Sequence, residues 1–299
     1  MKFGKTEHPE SIDFTLPEDH DATRAVLARS KGSGSPRINV GCAKWNRQDL
    51  KNFYPRGTKD ELSYYSTQFN SIELNATYYR IFPESVFAGW RTKTPEDFVF
   101  FPKIPQVISH RKRLHDAEAY VEQFLYNAAY LNEKLGTIFL QMPENFGPTA
   151  ANVQRLVEFV GKWPGEQPLA VELRHGNWFG DPGVAADLYA LFEEHDIANI
   201  VTDTAARRDL LHMRLTTPRA FVRYVGANHD SDYTRLDDWV DRLERWSADG
   251  VRHIEFFVHQ NHELESPLLA RYFVERLNER LGCSLTVPAT LEASQNSLF

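Results

Sequence analysis

Apolar positions along this chain switch repeatedly between two periods. Short runs rich in Val, Ile, Leu and Phe read as strands at residues 38–42, 71–75, 98–103, 137–141, 169–174, 197–202, 220–225 and 253–259. Stretches with helical spacing separate them, at 61–69, 84–93, 117–135, 153–162, 184–195 and 236–247, with a closing helix at 267–281. A shorter, irregular crossover lies between 203 and 219. Roughly eight βα units in about 250 residues predict an α/β fold of the TIM (β/α)₈ type. A doubly wound sheet would show the same alternation, but no Gly-x-Gly-x-x-Gly follows the first strand.

Several predicted strands break into polar side chains at their C-terminal ends: Glu73 and Asn75, Lys103, Gln141, Glu172 and Arg174, and Arg223. Strands covered on both faces should stay apolar to the end. Strand parity puts Glu73 and Asn75 on one face and Ile72 and Leu74 on the other, and Glu172 and Arg174 likewise oppose Val171 and Leu173. A ring of such groups at strand C-termini is how this barrel builds a site.

Residues 1–37 read as an extension, acidic and proline-rich, with a short helix near 21–29 and a flexible Gly/Ser stretch at 31–36. The barrel domain is placed at 38–288 and a tail at 289–299. The 299 residues carry a net charge of −7, which argues against a broadly basic nucleic-acid surface but leaves room for a local basic pocket. No run is long enough to span a membrane, and the start lacks a signal-peptide core. Cys42 and Cys283 form no CxxC pair and read as reduced thiols of a cytoplasmic protein.

Glu73, Glu172 and Lys103 are the candidate catalytic residues. The two glutamates suit a general acid/base pair or ligands of a divalent metal. Alternatively they form an internal ion-pair network with Lys103, Arg174 and Arg223. Those three cations suit a carboxylate or phosphate, or simply neutralise the glutamates. A metal site would draw on His110, His175 and His259 with Glu73, Glu172 and Asp203, although no ligand-spacing motif is present. Trp45, Tyr78, Tyr79, Trp178 and Phe179 would stack on a sugar or base, or pack over the barrel top.

In Gly41-Cys-Ala-Lys-Trp45, Phe69-Asn-Ser-Ile-Glu-Leu-Asn-Ala-Thr-Tyr-Tyr79, Phe98-Val-Phe-Phe-Pro-Lys103 with Ser109-His110, Leu140-Gln-Met-Pro143 and Glu172-Leu-Arg-His-Gly-Asn-Trp-Phe179, the chain resembles the YecE-like family, domain of unknown function 72. The resemblance spans about residues 38–281. It departs at Arg223-Tyr-Val-Gly226, where the family commonly has Arg-x-His-Gly, and at Gln260-Asn261, where Asn-Asn is common. The role of the missing histidine does not transfer; His259 would be its stand-in from a neighbouring strand. The resemblance implies a TIM barrel distantly similar to the xylose isomerase and endonuclease IV superfamily, and no established activity.

The expected function is therefore hydrolytic or isomerising acid/base chemistry on an anionic, ring-containing substrate such as a sugar phosphate or nucleotide. Lys103, Arg174 and Arg223 would grip the anion. Asn75, His110, Gln141 and Asp203 would orient the others, with Trp45, Tyr78, Tyr79, His175, Trp178, Gln260 and Asn261 completing the binding surface. The alternatives are nucleic-acid binding or processing, with Tyr78, Tyr79 and Trp178 stacking on a base, and a ligand-binding module without catalysis. Oligomeric state is left open.

Overall fold

The computed structural model describes residues 3–32, 34–50 and 53–290; most of the expected tail at 289–299 lies outside them. After helix α1 (Asp21–Ala28), strands and helices alternate: β1 (Arg37–Cys42), α2 (Glu61–Gln68), β2 (Ser71–Leu74), α3 (Ala76–Tyr79), α4 (Glu84–Thr92), β3 (Val99–Pro102), α5 (Glu118–Ala128), β4 (Ile138–Gln141), α6 (Ala150–Gly161) and β5 (Leu169–Glu172). Then come α7 (Asn177–Gly180), α8 (Pro182–Glu194), β6 (Ala198–Asn199), β7 (Val201–Asp203), β8 (Arg219–Gly226), α9 (Ser231–Asp249), β9 (His253–Gln260) and α10 (Ser266–Leu281). The helices start where capping chemistry allows: Asp60, Thr149 and Asp181 each accept a hydrogen bond from an orphan backbone N–H of the first turn.

All strand pairs are parallel, in three sheets: β1-β9-β8-β7, β2-β3 and β4-β5-β6. The α/β alternation read from the sequence is thus present. The predicted strand at 197–202 is two short strands, β6 pairing with β5 and β7 with β8, because the chain leaves one neighbour for the other at Ile200. The predicted helix at 117–135 ends early at Ala128. Beyond it the backbone tightens into a 3₁₀ turn and Asn132 turns to φ 49, while Lys134 Nζ donates to the carbonyls of Arg91 and Thr94.

Strand alternation sorts the sheet residues into levels. One core lies between strands and helices. A second, smaller one gathers Phe101, Phe139, Ala170, Phe221 and Phe257; Phe101 meets Phe257 at 4.9 Å between ring centroids and Phe139 meets Phe221 at 5.5 Å. Two residues earlier, on the same face, Thr137 donates to Glu255 at 2.8 Å and Arg219 pairs with Glu255. Two residues later that face carries Lys103, Gln141, Glu172, Arg223 and His259. The aromatic level therefore forms the floor of the polar one. Gly41 lets β1 approach β2, since a Cβ there would sit 2.2 Å from the Ser71 carbonyl oxygen.

Residues 3–32 lie against the domain. Thr23 Oγ1 donates to the Met213 carbonyl and accepts from Leu215 N. Arg242 donates to Asp19 and the Pro17 carbonyl, and Arg208 to the carbonyls of Phe14 and Thr15. No helix among the described residues is long and apolar enough to cross a membrane.

Candidate functional site

The polar level opens into a cavity of about 500 Å³ lined by Phe3, Lys5, Lys44, Asn75, Tyr78, Tyr79, Lys103, His110, Gln141, Arg174, Arg223, His259, Gln260, Asn261 and Glu263, with Ala43 and Val225. A larger hollow of about 700 Å³ lies elsewhere, beside Tyr189 and Arg214, whereas this one sits over the strand C-termini that carry the cations.

Arg223, from β8, is the central group. Its Nε and one terminal nitrogen hold both oxygens of Glu73 at 2.9 and 2.8 Å, and its other terminal nitrogen reaches Glu172 at 2.5 Å. Arg174 Nε donates to the second Glu172 oxygen at 2.7 Å, and Thr202 Oγ1 to the same atom at 3.1 Å. Asn75 Nδ2 donates to Glu73 at 2.7 Å, and His259 Nε2 lies 3.0 Å from it. Glu73 is 0% and Glu172 1% exposed, and neither lines the cavity.

Burial alone would raise both carboxyls. Arg223 and His259 instead hold Glu73 well below the usual carboxylate range. Arg174 and Arg223 take Glu172 down to about 2. Both carboxyls are held toward the anionic form with their oxygens engaged by Arg223, Arg174, Asn75, Thr202 and His259, the arrangement of an internal ion-pair network.

Lys103 follows β3 and is 2% exposed. Its Nζ donates to Gln141 Oε1 at 2.7 Å and lies 4.7 Å from the centre of the Tyr78 ring. Burial, together with Arg223 and Arg174 nearby, pulls its pKa down to about 7. His110, beside Ser109 Oγ at 2.9 Å and edge-on to Tyr78, is brought down to about 4 by burial and by the charges of Lys103 and Arg174, so its ring is neutral at neutral pH. For His259 burial acts downward, but Glu73 and Glu263 outweigh it and raise the pKa.

Four expected members are placed elsewhere. Asp203 is buried against Arg208, Arg235 and Trp239 Nε1. Thr202 turns toward Glu172, so alternation sends its neighbour Asp203 to the helix side. Trp178 is buried, stacked on Phe146, and its Nε1 donates to the Phe146 carbonyl. His175 rests against Gly147 and accepts from Asn177 N. Trp45 packs edge-on against Trp90 and lines a separate hollow. With His175 and Asp203 away from the cavity and both glutamates bound by guanidinium groups, the donors do not fit a metal. No group of three or more His, Cys, Asp or Glu among the described residues could hold one.

Phe3 and Lys5, set aside with the extension, reach the cavity. Arg174 lies over the Phe3 ring at 3.9 Å, and Lys5 Nζ donates to the Asn261 carbonyl. Gly4, at φ +73, fits because a Cβ there would overlap Thr204. No local pattern in the first six residues signals this position.

The family model described as "Protein of unknown function DUF72" matches residues 39–292. The chain belongs to the DUF72 family. The UPF0759 protein YecE of Escherichia coli K12 is 28% identical over 284 residues, covering 88% of this chain and all of that protein. YunF of Bacillus subtilis, also UPF0759, is 30% identical over 153 residues, 48% of this chain and 53% of YunF. Crystal structures of DUF72 proteins from Enterococcus faecalis and Thermotoga maritima superpose with TM-scores of 0.67 and 0.63 at 21% and 24% identity. They cover 85% and 81% of this chain and 100% and 99% of their own. At that identity the likeness is one of fold.

Proposed function

We propose that the three parallel sheets are arcs of one (β/α)₈ barrel, and that the cavity at its C-terminal rim binds a small anionic, ring-containing substrate such as a sugar phosphate or nucleotide. The isolated pairing of Lys103 with Phe139 and the meeting of Phe101 with Phe257 support closure, since each joins different sheets. The ligand reading rests on one observation: Lys103, Arg174 and Arg223 line one cavity, the two carboxylates that pair with the arginines are withdrawn beneath it, and Glu263, a carboxylate on its lining, faces His259 instead. An incoming phosphate or carboxylate meets three cations, with the faces of Tyr78 and the 69% exposed Tyr79 beside them for a ring.

Proton transfer of the hydrolytic or isomerising kind falls in this reading to Lys103 and His110 as groups that accept a proton and to His259 as a group that donates one. Glu73 and Glu172 set the positions of the arginines. Titration calorimetry with inorganic phosphate, a hexose phosphate and a mononucleotide tests the binding. Arg174→Gln is expected to weaken the preferred ligand by about tenfold or more, the worth of a charge-assisted contact. Equal affinity in both proteins removes the reading, and binding without turnover leaves a ligand-binding module.

The exposed Tyr79 ring beside the cations favours nucleic acid as a second reading, with a base stacked at the mouth. Single-stranded and abasic DNA titrated at low ionic strength test it. Affinity that is absent there excludes it.

A further inference from the structure

We propose that Lys103 forms an imine: its amine condenses with the carbonyl of a small anionic compound whose carboxylate or phosphate is held by Arg174 and Arg223. The proposal rests on the anion-pocket reading and narrows its substrate class to anionic carbonyl compounds, the open forms of sugar phosphates included.

The geometry around Nζ carries it. Lys134, the other buried lysine among the described residues, is saturated: its amine donates to the Arg91 and Thr94 carbonyls and to Thr94 Oγ1. Lys103 Nζ donates to a neutral amide oxygen, Gln141 Oε1, and lies over the Tyr78 and Phe139 rings at 4.7 and 5.8 Å, and no carboxylate among the described residues lies within ion-pair distance, 4.0 Å. An ammonium brings three donors; here one oxygen receives them, and the residue borders the cavity. A desolvated lysine beside other cations is the environment that yields a nucleophilic amine. With its pKa near 7, a large share of Lys103 is free amine at neutral pH.

The chemistry closes without a further reactant. The amine lone pair attacks the carbonyl carbon and a C–N bond forms. The nitrogen loses a proton as the oxygen gains one, giving a carbinolamine. A second proton, taken from solvent, lets that hydroxyl leave as water while the C=N bond forms, and the iminium returns the proton to solvent by giving up its remaining N–H proton. His110 lines the same cavity, feels the charge of Lys103 and is neutral, so it can take and return the proton.

The test is borohydride trapping on the full chain at neutral pH, with pyruvate in one arm and dihydroxyacetone phosphate in the other, followed by peptide mapping. The expected result is a single reduced adduct on Lys103, suppressed by excess inorganic phosphate, and about tenfold or more above exposed lysines such as Lys59 and Lys112, as a pKa lowered to neutrality implies. Lys103→Arg, which keeps the charge, should lose it. The arm that labels more strongly distinguishes carboxylate from phosphate as the held anion. No adduct on Lys103 in either arm, or one no greater than on the exposed lysines, overturns the proposal, and mapping on the unaltered chain gives that answer even if the variant does not fold. If phosphate still binds in the calorimeter while trapping fails, the imine falls and the anion pocket stands. If neither occurs, both fall.

Discussion

Arg223 decides the state of its neighbours. A guanidinium enclosed by two buried carboxylates neutralises both at once, and its own pKa is raised further because Glu172 and Glu73 outweigh the cost of its burial. Removing it leaves two anions in a dry site, which costs far more than the net worth of the ion pairs. Arg223→Met is expected to lower stability by roughly 3–5 kcal/mol, read from urea unfolding midpoints; a loss under about 1 kcal/mol would place water or a rearranged Arg174 around the glutamates. Glu172→Gln tests the opposite side. If Glu172 moved protons, the folded variant would lose turnover outright. If it positions the arginines, the variant is expected to raise KM for the anion more than it lowers kcat.

Residues 3–32 behave as an element of the domain, and their removal gives the sharpest prediction at this scale. Val26 and Leu27 of α1 are buried, and residues 14–19 cover Arg208 and Arg242. Deleting residues 1–32 is expected to cost several kcal/mol, about 1.5–3 kcal/mol for each apolar side chain uncovered, measured by denaturant titration. Deleting only residues 1–6 removes the ring over Arg174 and should speed phenylglyoxal modification of that residue several-fold with little loss of stability. An unchanged rate would mean that Phe3 does not shield it. The covering role of this segment was not legible in its text, because its partners Arg208, Arg242 and Met213 lie some two hundred residues away. The alternation of strands and helices was legible, since it depends on local periodicity. So was the convergence of Glu73, Asn75, Lys103, Gln141, Glu172, Arg174 and Arg223, since strand parity fixes which face each takes. More than two residues past a strand's end parity says nothing, and there Trp45, His175 and Trp178 turned to packing partners. Depth was equally hidden: sequence could place Glu73 and Glu172 on the inward face but not beneath Arg223.

For the whole molecule, a network of shifted groups makes stability depend on pH in both directions. Glu73, Glu172 and Asp203 are held below their ordinary values when folded. Their contribution is complete above about pH 4.5, the range of an unfolded carboxyl, and is lost as pH falls toward the folded values, about 2 for Glu172. The partly buried rings of His110, His212 and His253, each brought down to about 4, begin the decline earlier, because the unfolded chain takes up protons there from about pH 6.5 downward. His259, raised by Glu73 and Glu263, opposes them: its contribution is present below about pH 6.5 and is lost as pH rises through its folded value. Lys103 acts on the alkaline side with the sign of a penalised base. Folded, it releases its proton near 7; unfolded, near 10.4. Between those values the unfolded chain binds the extra proton, so stability should rise with pH, by a few kcal/mol at most. Above about pH 10 the buried tyrosines, Tyr65 and Tyr224 among them, reverse the trend, since they ionise only in the unfolded chain. Urea midpoints measured from pH 4 to pH 10 should therefore climb through the neutral range, and Lys103→Gln should flatten the climb between pH 7 and pH 10. A variant with the wild-type slope would show that Lys103 keeps its proton in the folded protein, and the free amine on which imine formation depends would be missing.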